Sequence, residues 1–103
     1  MFEEIKQRVE EGRWAVVGGM WVQPDCNIPS GEAFCRHMLY SQKFFKEHFG
    51  ITAKTCYNVD SFGHNGMLPQ LFKKSGIENY VYQRPNRFEE KPDLPAEDLH
   101  LWQ

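Results

Sequence analysis

An acid, an aromatic ring and an imidazole fall within one short turn at Asp60-Ser61-Phe62-Gly63-His64. A carboxylate in such a place can act as nucleophile, proton carrier or metal ligand, and an imidazole four residues away supplies the second half of a metal pair. Hydrolytic zinc takes about three protein ligands. The chain offers no convincing third beside these two, so His64 reads as a residue that orients the loop. A kinase-like D-F-G reading fails because Ser61 intervenes and there is no glycine-rich phosphate loop or H-R-D sequence. Two further charged residues follow apolar segments in the same way: Asp25 comes after Trp21-Val22, and Arg84 after Tyr80-Val81-Tyr82. Taken singly, a loop carboxylate is more often a turn or cap residue, and an arginine beside a strand is more often an edge ion pair. His37, His48 and His100 have no ligand spacing.

The elements that would position these groups alternate. Phe2, Ile5 and Val9 recur at helical spacing among acidic and basic residues, and Gly12 follows as a stop. Trp14-Ala15-Val16-Val17 is continuously apolar, as a parallel strand buried on both faces would be, and Gly18-Gly19 lets the backbone turn. A loop with two prolines leads to Ser30, a fitting N-cap for a helix over 33–49 that Gly50 closes, with Phe34, Met38, Phe45 and Phe49 on one face. The run 54–59 is β-branched and aromatic enough for a second strand ending at Asp60. A third helix over 67–75, with Pro69 in its early turn, and a third strand at Tyr80-Val81-Tyr82 complete the pattern. Three strand–helix alternations with short links predict an α/β fold of about three parallel strands with crossover helices. Asp25, Asp60 and Arg84 are then expected at one sheet edge, where α/β folds place ligands.

A chain of 103 residues that is 41% hydrophobic and 25% charged is a globular domain or part of one. By size scaling it buries only roughly 60–65% of its unfolded surface. Three Trp, eight Phe and four Tyr are therefore a heavy apolar load, some of it expected to meet further protein. The net charge of -2 provides no basic field, which argues against nucleic acid and anionic membranes as partners. Cys26, Cys35 and Cys56 lack paired spacing and read as reduced, mostly buried thiols. With no apolar run long enough to span a bilayer and no leader-like start, a cytoplasmic location is the expectation. The tail, rich in proline and glutamate, gives way to apolar alternation at Leu99-His100-Leu101-Trp102, so the expectation is a piece of a larger domain.

Several ordered blocks together resemble glycoside hydrolase family 38, the retaining zinc-dependent α-mannosidases. They are Gly19-Met20-Trp21-Val22-Gln23-Pro24-Asp25, Asn27-Ile28-Pro29-Ser30-Gly31-Glu32, Phe44-Phe45-Lys46-Glu47-His48-Phe49-Gly50, Asn58-Val59-Asp60-Ser61-Phe62-Gly63-His64, and Leu68-Pro69-Gln70 with Lys74-Ser75-Gly76. The resemblance covers nearly the whole chain. It implies a seven-stranded α/β barrel, of which residues 1–103 would be part of the N-terminal catalytic domain. It also implies a mannose-containing oligosaccharide as substrate and zinc as cofactor. Asp60 matches the residue that is both nucleophile and zinc ligand, Phe62 would line the sugar subsite, Arg84 would orient Asp60, and Asp25 and His64 would support the site from behind. The family's His-x-Asp zinc segment, acid/base carboxylate and later zinc histidine have no counterpart here, so the isolated segment is expected to be inactive, to hold zinc poorly and to self-associate through its edges. The competing expectation is a stand-alone, non-catalytic α/β protein binding sugar or a protein partner. A polysaccharide deacetylase on a similar barrel would need further histidine ligands.

Overall fold

A computed structural model describes residues 1–83, and the expectations placed on Arg84 and on the tail lie outside them. The element order is α1 (Phe2–Glu10), α2 (Gly31–Phe49), β1 (Thr55–Tyr57), α3 (Leu68–Lys74) and β2 (Asn79–Val81). β1 and β2 pair in parallel, with Thr55 opposite Asn79, Cys56 opposite Tyr80 and Tyr57 opposite Val81. A parallel pair needs a crossover, and α3 supplies it. The ladder runs one residue past β1, because the Asn58 amide donates to the Val81 carbonyl at 2.9 Å.

The helix boundaries follow the local chemistry. The Ser30 hydroxyl accepts from the Ala33 amide at the start of α2, and Gly50 closes the helix in the left-handed region at φ 71°. Pro69 occupies the first turn of α3, where a missing amide proton costs nothing.

One expectation is corrected. The 14–17 run is not a buried strand: Trp14 is 54% and Val17 48% exposed. The segment touches the sheet only through a parallel bridge between Gly18 and Cys56, made by Gly18 N–H to Thr55 C=O at 2.9 Å and Tyr57 N–H to Gly18 C=O at 3.4 Å. Gly18 and Gly19, at φ 112° and 67°, turn the backbone out of the extended region after one paired residue. Among the described residues the sheet is therefore two-stranded, extended on one side by a single bridge.

The core lies between α2, α3 and the sheet. It comprises Met20, Cys26, Phe34, Met38, Cys56, Leu68, Phe72 and Ile77, with Leu71 and Tyr80 packed against it. Phe34 and Met38 are buried as their helical spacing predicts, whereas Phe45 and Phe49 are half-buried. The latter two pack on each other, and Phe49 meets Phe2 at a ring separation of 5.8 Å, which seats α1 on the end of α2. Polar side chains fasten α2 to the loops. Buried Ser41 donates to the Gly19 carbonyl, and the Gln42 amide bonds the Ala53 backbone in both directions at 2.8 and 2.9 Å, as a neighbouring strand would. On its outer side α2 presents Tyr40 and Phe44 to Trp21, at ring separations of 6.5 and 5.9 Å, and Trp21 remains 56% exposed. No helix among the described residues is long and apolar enough to cross a membrane.

Candidate functional site

β1 delivers the chain into an irregular stretch, 58–66, before α3 begins. Asp60 lies at a bend three residues after Tyr57 and is exposed. Phe62, two residues further, is 75% exposed. Both residues thus present surface to solvent on this loop. The residues around them are fixed.

Asn58 has no exposed surface, and its amide donates to the Pro24 carbonyl at 3.3 Å and toward the Cys26 sulfur at 3.0 Å. Ser61 is buried and donates to the Gly63 carbonyl at 3.0 Å. Gly63 has φ 133°, and a Cβ there would stand 2.7 Å from Asn27 Nδ2. His64 Nδ1 and the Tyr80 hydroxyl are hydrogen-bonded at 2.7 Å, and the imidazole lies against Tyr82 at a ring separation of 4.7 Å. The structure thus brings the loop before α2 and the loop after β1 together over the end of β2.

Asp25 has a local role in this arrangement. Its Oδ1 accepts from the amides of Asn27 at 2.7 Å and Ile28 at 3.2 Å, an Asx-type turn that shapes residues 25–28. Among the described residues, no group of three or more His, Cys, Asp or Glu side chains could hold a metal ion.

The buried side of the loops holds two groups whose protons burial retains. Burial, and secondarily the proximity of Cys26, pushes the Cys56 thiol up to about 12, so it stays protonated at neutral pH and is no nucleophile. Burial likewise pushes the Tyr80 hydroxyl well above the usual phenol range, with Cys26 adding to the effect. All three cysteines are free, Cys26 and Cys56 buried and Cys35 exposed.

Asn58, Ser61 and Tyr80 are the residues that motif reading did not single out. The available signal was Asn58 itself, a polar residue at the end of an apolar-alternating run, where burial demands partners. Tyr80 was readable as strand but not as an anchor. Its role depends on the parallel register that sets it beside Cys56. On its outer side the loop, tied down on both sides, carries exposed Asp60 and, two residues on, exposed Phe62.

Comparison with known sequences identifies the setting. The sequence profile described as "Glycosyl hydrolases family 38 N-terminal domain" matches residues 1–103. The chain is 42% identical over 84 residues to "Alpha-mannosidase G" of Dictyostelium discoideum, covering 82% of the chain and 8% of that protein. It is 39% identical over 77 residues to "Alpha-mannosidase" of Saccharomyces cerevisiae, covering 75% and 7%. To "Alpha-mannosidase 2C1" of Homo sapiens it is 36% identical over 84 residues, covering 82% and 8%. The aligned stretch thus spans less than a tenth of the length of each of these relatives.

Proposed function

This chain belongs to glycosyl hydrolase family 38, and on that premise we propose that it is part of the catalytic α/β-barrel domain of an α-mannosidase that removes terminal α-mannosyl residues from oligosaccharides. The observation that carries the reading is the family match over the whole chain, with Asp60 exposed where β1 exits a parallel sheet. The parallel pair and the Gly18 bridge are compatible with consecutive strands of such a barrel.

In this reading Asp60 is the nucleophile. Its carboxylate attacks the anomeric carbon as the bond to the leaving oxygen breaks, and a covalent glycosyl–enzyme forms. Water then releases the sugar with retained configuration. A second carboxyl group, contributed from elsewhere in the enzyme about 5–5.5 Å away, protonates the leaving oxygen and later deprotonates the water. Phe62 offers its ring to the apolar C–H face of the sugar, and Arg84 orients Asp60. Asp25 acts at one remove by shaping its own loop. His64 orients the Asp60 loop.

Zinc is the cofactor implied by the family resemblance. The described residues do not make a site for it by themselves. We assign Asp60 as one ligand and place the others elsewhere in the enzyme. Held by Asp60 and those further ligands, zinc would supply Lewis-acid stabilisation to the bound sugar.

The complete protein, assayed with a p-nitrophenyl α-mannoside, tests this. Asp60→Ala should lower kcat by roughly a thousandfold or more, as loss of a nucleophile does. Proton NMR should show the α-anomer as the first-formed sugar. A fully active Asp60→Ala enzyme, or a β-anomer formed first, would overturn the assignment.

A further inference from the structure

The stretch that carries Asp60 has no regular secondary structure of its own, so the contacts at its two ends help to set where its carboxylate stands. On the N-terminal side the hold is Asn58, whose backbone amide bonds Val81 and whose side-chain amide bonds Pro24. On the C-terminal side it is His64. We propose that Tyr80 is a positioning residue for the reaction: its hydroxyl, hydrogen-bonded to His64 Nδ1 at 2.7 Å, fastens the far end of the Asp60 loop to β2 and so fixes where the nucleophile stands.

Four observations support this role. Tyr80 lies in β2, in register with Cys56 in the middle of β1, so its backbone is held by the sheet that Asp60 departs from. Its ring packs on buried Phe72 at 4.8 Å, which fixes the rotamer and hence the hydroxyl. The hydroxyl also lies 3.9 Å from the Cys26 sulfur, which itself receives the Asn58 amide, so one phenol touches both the loop before α2 and the loop after β1. Finally, the imidazole packs against both Tyr80, edge-on at 5.4 Å, and Tyr82 at 4.7 Å, whose rings lie 5.3 Å from each other. A hydroxyl held this way is a rigid reference point, and a displacement of about 1 Å in a reacting group costs on the order of a hundredfold in rate.

The proposal rests on the assignment of Asp60 as nucleophile. Its test uses the complete enzyme and a 2-deoxy-2-fluoro or 5-fluoro mannosyl reagent, reading both turnover and the rate of covalent labelling. Tyr80→Phe removes one oxygen and keeps the ring packing. It should lower kcat and the labelling rate constant together by roughly 10- to 100-fold, with KM changed by less than about threefold, since binding is left largely intact. His64→Leu should do the same, and the Tyr80→Phe/His64→Leu pair should fall no further than either single variant, because both remove one link. His64→Asn can place either an oxygen or an NH2 at the Nδ1 position and should retain at least about fivefold more activity than His64→Leu. Wild-type kcat in both single variants, losses that multiply in the pair, or equal activity of His64→Asn and His64→Leu would overturn the proposal. If Tyr80→Phe does not fold, the two His64 variants decide it. The wild-type enzyme separates the two claims: a label on a residue other than Asp60 refutes the nucleophile assignment, whereas a label on Asp60 with unimpaired variants refutes only the role of Tyr80.

Discussion

Gly63→Ala should loosen the Asp60 loop in a way that can be measured without any assay of activity. Gly63 adopts φ 133°, a region essentially closed to residues with a side chain, and holding an alanine there costs about 1–3 kcal/mol. The new Cβ would also lie 2.7 Å from Asn27 Nδ2, closer than such atoms approach. Asn27 is exposed and its amide can swing away, so this second cost is about 0.5–1.5 kcal/mol for an off-rotamer side chain. The two together weaken the closed loop by about 1.5 kcal/mol at the low end, which is roughly 13-fold in an opening equilibrium. Hydrogen exchange read by mass spectrometry on the complete protein should show that acceleration in peptides covering residues 58–68, with helix α2 unchanged. Adding Asn27→Ala removes the clash but not the φ strain, so the double variant should recover about 0.5–1.5 kcal/mol and no more. Wild-type exchange in Gly63→Ala, or full recovery in the double variant, would show that the loop is not held in this conformation.

Other expectations follow from the packing. Gly19→Ala combines φ 67° with a Cβ only 2.6 Å from Ile77 Cδ1, and should destabilise the region by about 1–2 kcal/mol from backbone strain alone, read as faster exchange around residues 18–20 and 56–57. Ser41→Ala strands the Gly19 carbonyl in the interior and should cost about 1–3 kcal/mol by the same measurement. A thiol reagent at neutral pH should modify Cys35 first, with Cys26 and Cys56 reacting only on unfolding, because Cys35 alone is exposed and the Cys56 thiol is pushed up to about 12. The same shift sets an alkaline limit. A thiol whose folded value is raised from 9.0 to about 12 contributes stability that is intact below pH 9 and lost as pH rises toward 12, so Cys56→Ala should flatten the loss of stability over that interval. The segment 1–103 produced alone should self-associate, since Trp21 and Tyr40 are half exposed beside Phe44, and a monomeric sedimentation profile at high concentration would contradict this.

The sequence made the helices legible because each carries its own punctuation: Ser30 before α2, Gly50 after it, Pro69 at the start of α3. It made β1 and β2 legible because their apolar runs lie between those helices and the loops. It misled at residues 14–17, where an apolar run reads as a buried strand whatever stands beside it. Burial on both faces is a property of the neighbours, and Trp14 and Val17 stay about half exposed against the described residues. The acid, ring and imidazole of the candidate site were readable as a motif, but their mounting was not. Asn58 reaches Pro24 across 34 positions and Cys26 across 32, and Tyr80 meets His64 across 16, pairings that exist only once the parallel register is set. Asp25 shows the converse, a residue whose local turn chemistry, visible in the Asp25-Cys26-Asn27 spacing, accounts for the bonds its Oδ1 accepts.

The proposed role of Asp60 as the nucleophile of a retaining α-mannosidase is decided by mass spectrometry of the complete enzyme trapped with a fluorinated mannosyl reagent and digested. A mannosyl adduct is expected on the peptide containing Asp60 and is lost when the residue is changed to alanine. An adduct on a different carboxylate, or full mannosidase activity with no adduct, would contradict it and leave Asp60 a residue of the loop and not of the reaction.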